Sequence, residues 1–498
     1  MLEILAAFFW DLPFFSHEFF MFIPDLFWIF SILNILIFSI ILSNYIRSLH
    51  ISRLIIDLSV PVVIFSFFFI YFFKDMNLIS VSTLKIDGFY FFFRVLFLFF
   101  FLFCLISSRN YFFLEKIYLY EFPILLLLAA EGSFLMLMTD DLFIFYLALE
   151  IQNLSFYILA SLKRYSNFST EAGLKYFLLG AFSSSILLFG LSILYGMMGT
   201  LDLKEIYILI SYESIIELNL FLLVGVFFFI SGLLFKFGSA PFHYWVPDVY
   251  EGSPTNVTMF FSLMPKIVLT FFFVKLYFFI FCFEIEFFSL LFFICGLLSL
   301  FIGIFNAMYQ YKLKRFLAYS SITTVGFALI SFSTMTFDGF FGGLYFIFCY
   351  LFSVALLFFL TLNIRKHNLK EFSELFDLSL LNNNNPILLL FICFIFLSFA
   401  GIPPLIGFFG KFFIFFSLFN SFNYFILFIL FLLSVISSFY YLRVIRFIYF
   451  TKISEYNFYH YFNLNYLFFF VFYFNVLFIF FFDFFGEFFY FFLIDTFV

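Results

Sequence analysis

Charge is what this chain lacks. Only 11% of its 498 residues are Asp, Glu, Lys or Arg, against about 25% in soluble domains. No polar interruption exceeds the stretch from Arg365 to Asn385, which leaves no room for a soluble domain. Cysteine is scarce too. Cys104, Cys282, Cys295, Cys349 and Cys393 lie scattered in apolar runs, without the paired spacing of an iron–sulfur or zinc site. The histidines are as dispersed, and facing haem ligands cannot be built from them. No G-x-G-x-x-G follows a strand-like run, so no dinucleotide site is indicated. The net charge of −6 argues against nucleic acid as a partner. From its sequence, the chain carries no cofactor or metal of its own.

What it has is hydrophobic length. Apolar residues make up 66% of the chain and the mean hydropathy is +1.17; a bilayer can hide that surface and a soluble core cannot. The expected fold is all-α integral membrane. Runs long enough to span fall at 25–46, 54–73, 88–106, 117–138, 142–162, 173–198, 219–240, 256–281, 287–309, 316–335, 339–362, 386–413, 421–449 and 464–482, about fourteen in all. Phenylalanine, at 107 residues, exceeds anything membrane physics requires. Its codons, with those of Ile, Tyr and Asn, are favoured by AT-rich genomes, which points to an organelle-encoded protein. The N-terminal stretch carries Glu3 and Asp11 and no Arg, unlike a signal or transit peptide.

The connections alternate in sign. Odd-numbered ones carry Arg47 and Arg53, Arg109 and Lys116, Lys163 and Arg164, Lys312, Lys314 and Arg315, Arg365, Lys366 and Lys370, then Arg443, Arg446 and Lys452. Even-numbered ones carry Asp140 and Asp141, Glu213 and Glu217, Glu284 and Glu286, and Asp338. By the positive-inside rule both acid-rich termini lie on the trans side, the intermembrane space of a mitochondrion. The seventh connection, with Asp248 and Glu251, breaks the pattern.

Ionisable side chains at bilayer depth cost roughly 2.5–3.5 kcal/mol on insertion scales and mark function by default. Glu150 sits mid-span, with Asn153, Tyr157 and Ser161 on the same helical face. Lys236 ends a run flanked by Gly232, Gly238 and Pro241. Lys266 has Ser262 and Thr270 one turn away on either side. Lys411 follows Pro403, Pro404, Gly407 and Gly410. Lys275 and Lys312, near span ends, are expected to snorkel to the headgroups. Arg94 and Glu131 read as members of structural pairs or as interfacial residues. The Gly/Pro-broken lysine span near 232–241 recurs near 401–411. Matching broken helices in two halves are the mark of inverted-repeat transporters. The expected organisation is therefore 1–116 (three helices), 117–281 (first five-helix repeat), 287–449 (second repeat) and 450–498 (last helix and tail).

At these residues the sequence resembles a known family. GLLFKFGSAPFHYWVPDVYEGSPTNVTMFFSLMPKI, LALEIQNLSFYILAS, STEAGLKYFLLGAFSSSILLFG, KRFLAYSSI and AGIPPLIGFFGKF look like the antiporter-like, proton-translocating subunits of respiratory NADH:ubiquinone oxidoreductase (complex I). They run in the family's order over 142–413. PDVYEGSPT and the lysine at 411 favour the chain 2 branch over chains 4 and 5. The resemblance implies that Glu150 and Lys236 form an entry-side ion pair, Lys266 a central relay and Lys411 an exit-side site, with Lys175 assisting. It implies FMN, iron–sulfur clusters and ubiquinone in other subunits, neighbouring antiporter-like subunits and lipids as partners, and the mitochondrial inner membrane as location. Where the family often has a histidine near the start of the tenth span, Thr323 and Thr324 stand here, so a relay at that point would run on hydroxyls and water. The physics is simple. Burial disfavours a charged lysine and a carboxylate beside it restores the charge; at about 4 Å and an effective dielectric of 20 the pair is worth roughly 4 kcal/mol. Two other readings stay open on sequence alone: a purely structural membrane subunit, and a cation/proton antiporter working by itself.

Overall fold

The computed structural model describes residues 22–44, 48–73, 79–81, 84–115, 119–213, 220–281, 284–366, 371–381, 386–450 and 458–460. The expected span at 464–482 and both charged termini lie outside them. Within them the chain is a helical bundle, with short two-stranded pairings at its ends (β1 Ile79–Val81 with β2 Leu84–Ile86, β3 Ile364–Lys366 with β4 Phe458–His460).

Among the described residues twelve helices are long and apolar enough to cross a membrane. The first three are α1 (Ile23–Ser43), α2 (Ser48–Phe73) and α3 (Gly88–Glu115). Then follow α4 (Glu121–Met138), α5 (Leu142–Ala160), α6 (Asn167–Met198), the short α7 (Leu203–Glu213), α8 (Leu220–Phe237), the short α9 (Trp245–Gly252) and α10 (Thr255–Leu276). Next come α11 (Ile285–Tyr309), α12 (Leu313–Phe332) and α13 (Phe337–Leu362). The run expected at 386–413 is two shorter helices, α14 (Pro386–Ala400) and α15 (Ile406–Asn420), before α16 (Tyr424–Phe450).

The span windows of α10, α12 and α13 are 94%, 89% and 100% buried, whereas those of α1 and α16 are 28% buried, so the former are the centre and the latter the rim. Glycines set the closest approaches: Gly190 of α6 lies against the backbone of Phe229 and Gly225 in α8, and Gly303 of α11 against that of Thr323 in α12. Small residues let backbones meet where lipid supplies no hydrophobic drive. Phenylalanine fills both environments. Phe93, Phe97 and Phe101 are fully buried, while Phe30, Phe65 and Phe182 face outward.

Two helices break at depth in the same way. Gly238 and Gly401 have φ of +79° and +80°. In the first break Gly238 N–H donates to the carbonyl oxygens of Leu234 and Phe235, and Ser239 N–H to that of Leu234. In the second, Gly401 N–H donates to Leu397 and Ser398, and Ile402 N–H to Leu397. Each is a Schellman cap, which needs a left-handed residue that only glycine adopts cheaply.

Candidate functional site

The polar face read on α5 is real and points at α8. Asn153 and Tyr157 are buried, and Ser161 is half-buried at the helix end. Lys236 Nζ, on the last turn of α8, donates to Asn153 Oδ1 at 3.0 Å and to Tyr157 OH at 3.4 Å. Asn153 Nδ2 donates in turn to Glu150 Oε1 at 3.2 Å. The expected direct Glu150–Lys236 ion pair is therefore replaced by a contact through one amide. The reason is position: Asn153 stands one turn after Glu150, between it and the amine. The sequence had flagged Asn153 only as a face marker.

Around the first break, carbonyls already engaged in the cap accept side chains as well. Trp245 Nε1 donates to Phe235 O at 2.9 Å, and Ser239 Oγ to Leu234 O at 3.1 Å. Pro265 in α10 cannot donate to Phe261 O, and Tyr250 OH does so at 3.4 Å. Thus the aromatic residues of PFHYWVPDVYEG satisfy backbone at membrane depth. The acids of the same motif explain the anomalous seventh connection. Asp248 meets Lys175 at 2.9 Å and Arg315 at 3.2 Å, and Glu251 meets Arg315 at 3.3 Å and also pairs with Lys312. They are neutralised by basic residues from the same end of the bundle. Lys175, shared between Asp248 and Glu171 (2.7 Å), has 43% of its side chain exposed, so it is a peripheral ion-pair residue rather than one of the buried set.

Lys266 stands one residue past the Pro265 break in hydrogen bonding. It is 5% exposed, and its Nζ has no hydrogen-bond partner among the described residues. Ser262 and Thr270, one turn either side, donate into their own helix instead. The ammonium lies 4.7 Å from the centroid of the Tyr350 ring. Tyr350 also lines a small cavity together with Thr323, Thr324, Ser353, Tyr440 and Lys411. Tyr350 thus stands between the two amines. Thr323 Oγ1 and Tyr440 OH are 3.3 Å apart, so hydroxyls occupy the place where a histidine was looked for.

Lys411 does not mirror Lys236. Lys236 precedes its break by two residues; Lys411 follows Gly401 by ten, on α15, and reaches back so that Nζ donates to Ala400 O at 2.8 Å. The expectation of lysines at corresponding places is corrected to matching breaks with lysines on opposite arms. A carbonyl at a helix C-terminus carries part of the macrodipole's negative end and favours the cation.

Lys275, expected to snorkel, is buried and paired with Asp140 at 3.0 Å, also donating to the carbonyls of Thr139 (3.0 Å) and Leu137 (3.3 Å). Lys312, at the basic end, keeps an exposed side chain. Arg94 is paired with Asp25, at 2.6 Å. Among the described residues no group of three His, Cys, Asp or Glu is placed to hold a metal.

Residues 139–437 match the family described as NADH:quinone oxidoreductase/Mrp antiporter, transmembrane. The chain belongs to this family. It is 37% identical over 417 residues to the Marchantia polymorpha protein named NADH-ubiquinone oxidoreductase chain 2, covering 79% of this chain and 81% of that one. It is 39% identical over 307 residues to NADH-quinone oxidoreductase subunit N of Pelagibacter ubique, covering 62% and 64%. A chain of respiratory complex I from Thermus thermophilus superposes with a TM-score of 0.69 at 25% identity, covering 88% of this chain and 92% of that one. The likeness to complex I subunits, read in the sequence from PDVYEGSPT and the buried lysines, is thereby borne out.

Proposed function

We propose that this chain is a proton-translocating membrane-arm subunit of respiratory complex I, and that Glu150, Lys236, Lys266 and Lys411 carry its protons. Electron transfer belongs to other subunits, which hold FMN, iron–sulfur clusters and ubiquinone. The observation that carries the reading is a chain of polar groups that starts at the half-buried Glu150 and continues through buried residues. Glu150, Asn153, Lys236 and Tyr157 form one hydrogen-bonded group; Lys266 lies over Tyr350, which lines a small cavity with Lys411 and several hydroxyls.

A proton arriving near Glu150 tips the amide-bridged contact. With Glu150 ionised, its charge favours the ammonium form of Lys236; with Glu150 neutral, burial favours the free amine and release. Lys266 has no hydrogen bond to lose, so it accepts and passes a proton with little rearrangement. Beyond it, Tyr350, Thr323, Tyr440 and Ser353 supply hydroxyls around a space large enough for water, ending on Lys411. Lys175 steadies the Asp248 side of the first half through its ion pair.

The halves 117–281 and 287–449 serve as inverted repeats, each with one broken helix. The basic connections face the matrix, the termini face the intermembrane space, and the protein is an organelle-encoded component of the mitochondrial inner membrane. Plant chain 2 relatives and the phenylalanine-rich composition support that placement. Neighbouring antiporter-like subunits and lipids complete its surroundings.

The test is Lys236→Ala or Glu150→Ala in the assembled complex, reconstituted in vesicles. Both variants assemble and lose proton translocation; normal pumping in either removes the mechanism.

A further inference from the structure

Outside the residues that match the family, a second ionisable group is buried. Asp25 (4% exposed) opens α1, Arg94 (1%) lies six residues into α3, and Glu131 (6%) lies mid-way along α4. Leu84, just before α3, bridges to Thr139, just after α4, so those helix ends lie together. At 1.5 Å per residue Arg94 and Glu131 then sit at a common depth, about 9 and 10 Å from that end.

The packing turns Glu131 toward the other two. Leu127 and Phe134 share its helical face. Leu127 O accepts from Trp28 Nε1 at 3.0 Å, one turn after Asp25, and the Phe134 ring lies 5.0 Å from that of Trp28 and 4.6 Å from the Arg94 guanidinium carbon. Trp28, Phe97 and Phe134 wall the group with apolar surface. Arg94 donates to Asp25 Oδ1 at 2.6 Å and to Tyr90 OH. Four buried atoms are left without a hydrogen-bond partner among the described residues: Asp25 Oδ2, Arg94 Nε, Glu131 Oε1 and Glu131 Oε2.

Two carboxyls face one guanidinium. With both ionised the group carries −1 at membrane depth, a costly state; with one proton it is neutral. We infer that Asp25, Arg94 and Glu131 form a proton-holding site in the N-terminal helices, one exchangeable proton being shared between two carboxyls that compete for a single guanidinium. In the resting arrangement Glu131 is the acid and Asp25 the carboxylate. Transfer breaks the Glu131 O–H bond, forms one on Asp25, directly or through one water, and moves the guanidinium's pairing to Glu131 through its free Nε. Net charge is zero before and after, so the exchange needs no further partner.

Infrared difference spectra of the intact complex, variant minus wild type in H₂O and D₂O, test this. Glu131→Gln, which is isosteric, removes one carboxylic C=O band that shifts with deuterium. Asp25→Asn removes the same band, because Glu131 then ionises against Arg94. Glu150→Gln, although it stops pumping, leaves that band in place, so failure of the site and failure of the main pathway are told apart. Persistence of the band in Glu131→Gln, or in Asp25→Asn should the first variant not assemble, overturns the proposal. So does a wild-type band that moves when Na⁺ replaces choline, since the occupant is then a metal cation and not a proton.

Discussion

The two broken helices end alike and use their lysines differently. Both stop in a Schellman cap on a glycine near φ +80°. In the first, Trp245 adds a second donor to the Phe235 carbonyl of the cap, and Lys236 turns sideways to Asn153. In the second no tryptophan stands there, and Lys411 itself takes the Ala400 carbonyl. One lysine is held by a neighbouring helix that carries a carboxylate; the other is held by the broken backbone. A lysine gripped through Asn153 responds to the charge on Glu150. A lysine gripped by a carbonyl responds to whatever competes for that carbonyl, water in the adjoining cavity included. Under the proposed function, the difference suits a first break that senses and a second that releases.

The largest expected effect removes the sensor's link. Asn153→Leu separates Glu150 from Lys236 without touching either, and abolishes proton translocation in vesicles while the complex still oxidises NADH. Retained pumping would show that the carboxylate and amine act without the amide and would erase the contrast between the halves.

Next is the latch that ties the halves together. Glu371 contacts Lys163 at 3.3 Å, Arg365 at 3.7 Å and Lys314 at 3.9 Å and accepts from Tyr111 OH at 2.7 Å, while Glu115 takes Lys163 at 2.8 Å and Arg365 at 2.7 Å. Glu371→Gln leaves buried Arg365 and part-buried Lys163 and Lys314 one charged partner short, a loss of about 1.5–3 kcal/mol read as a fall in the subunit's thermal midpoint. Burial opposes the Glu371 carboxylate, yet Lys314, Lys163 and Arg365 hold it well below its ordinary value of 4.5. A depressed carboxyl contributes stability that is fully present above the unfolded value and is lost as pH falls through the folded one. Acid below about pH 4.5 should therefore loosen wild type progressively and Glu371→Gln much less, in a melting series against pH.

Lys411→Met then separates the two lysines. It leaves Ala400 O without its donor, a cost of about 1–3 kcal/mol, whereas Lys236→Met leaves the first break capped by Trp245. Equal melting of the two variants would mean that Lys411 does not hold its break. Smallest is the pair Gly238→Ala and Gly401→Ala, each costing about 1–2 kcal/mol from the left-handed backbone. Their stabilities should fall together, but their pumping should diverge. An added methyl at 238 meets Val246 Cγ2 at 2.9 Å, while at 401 it meets Lys411 Cδ at 2.9 Å and pushes the amine off its carbonyl.

Sequence by itself determined the solvent. With so little charge the chain can only bury itself in lipid, and twelve helices among the described residues meet that demand by length and apolarity alone. It also located Glu150, Lys236, Lys266 and Lys411, because charge in an apolar run is visible in one dimension, and it marked both breaks through Gly and Pro. What it could not supply was partnership, which depends on the faces that helices distant in sequence present to one another. Only the tertiary structure put Asn153 between Glu150 and Lys236, gave Asp140 to Lys275 and Asp25 to Arg94, and brought Tyr350 of α13 between Lys266 and Lys411. It also reversed the arm on which the second lysine sits, because a break can be recognised from its residues, but which carbonyl it frees, and what fills that need, is settled only when the helices pack.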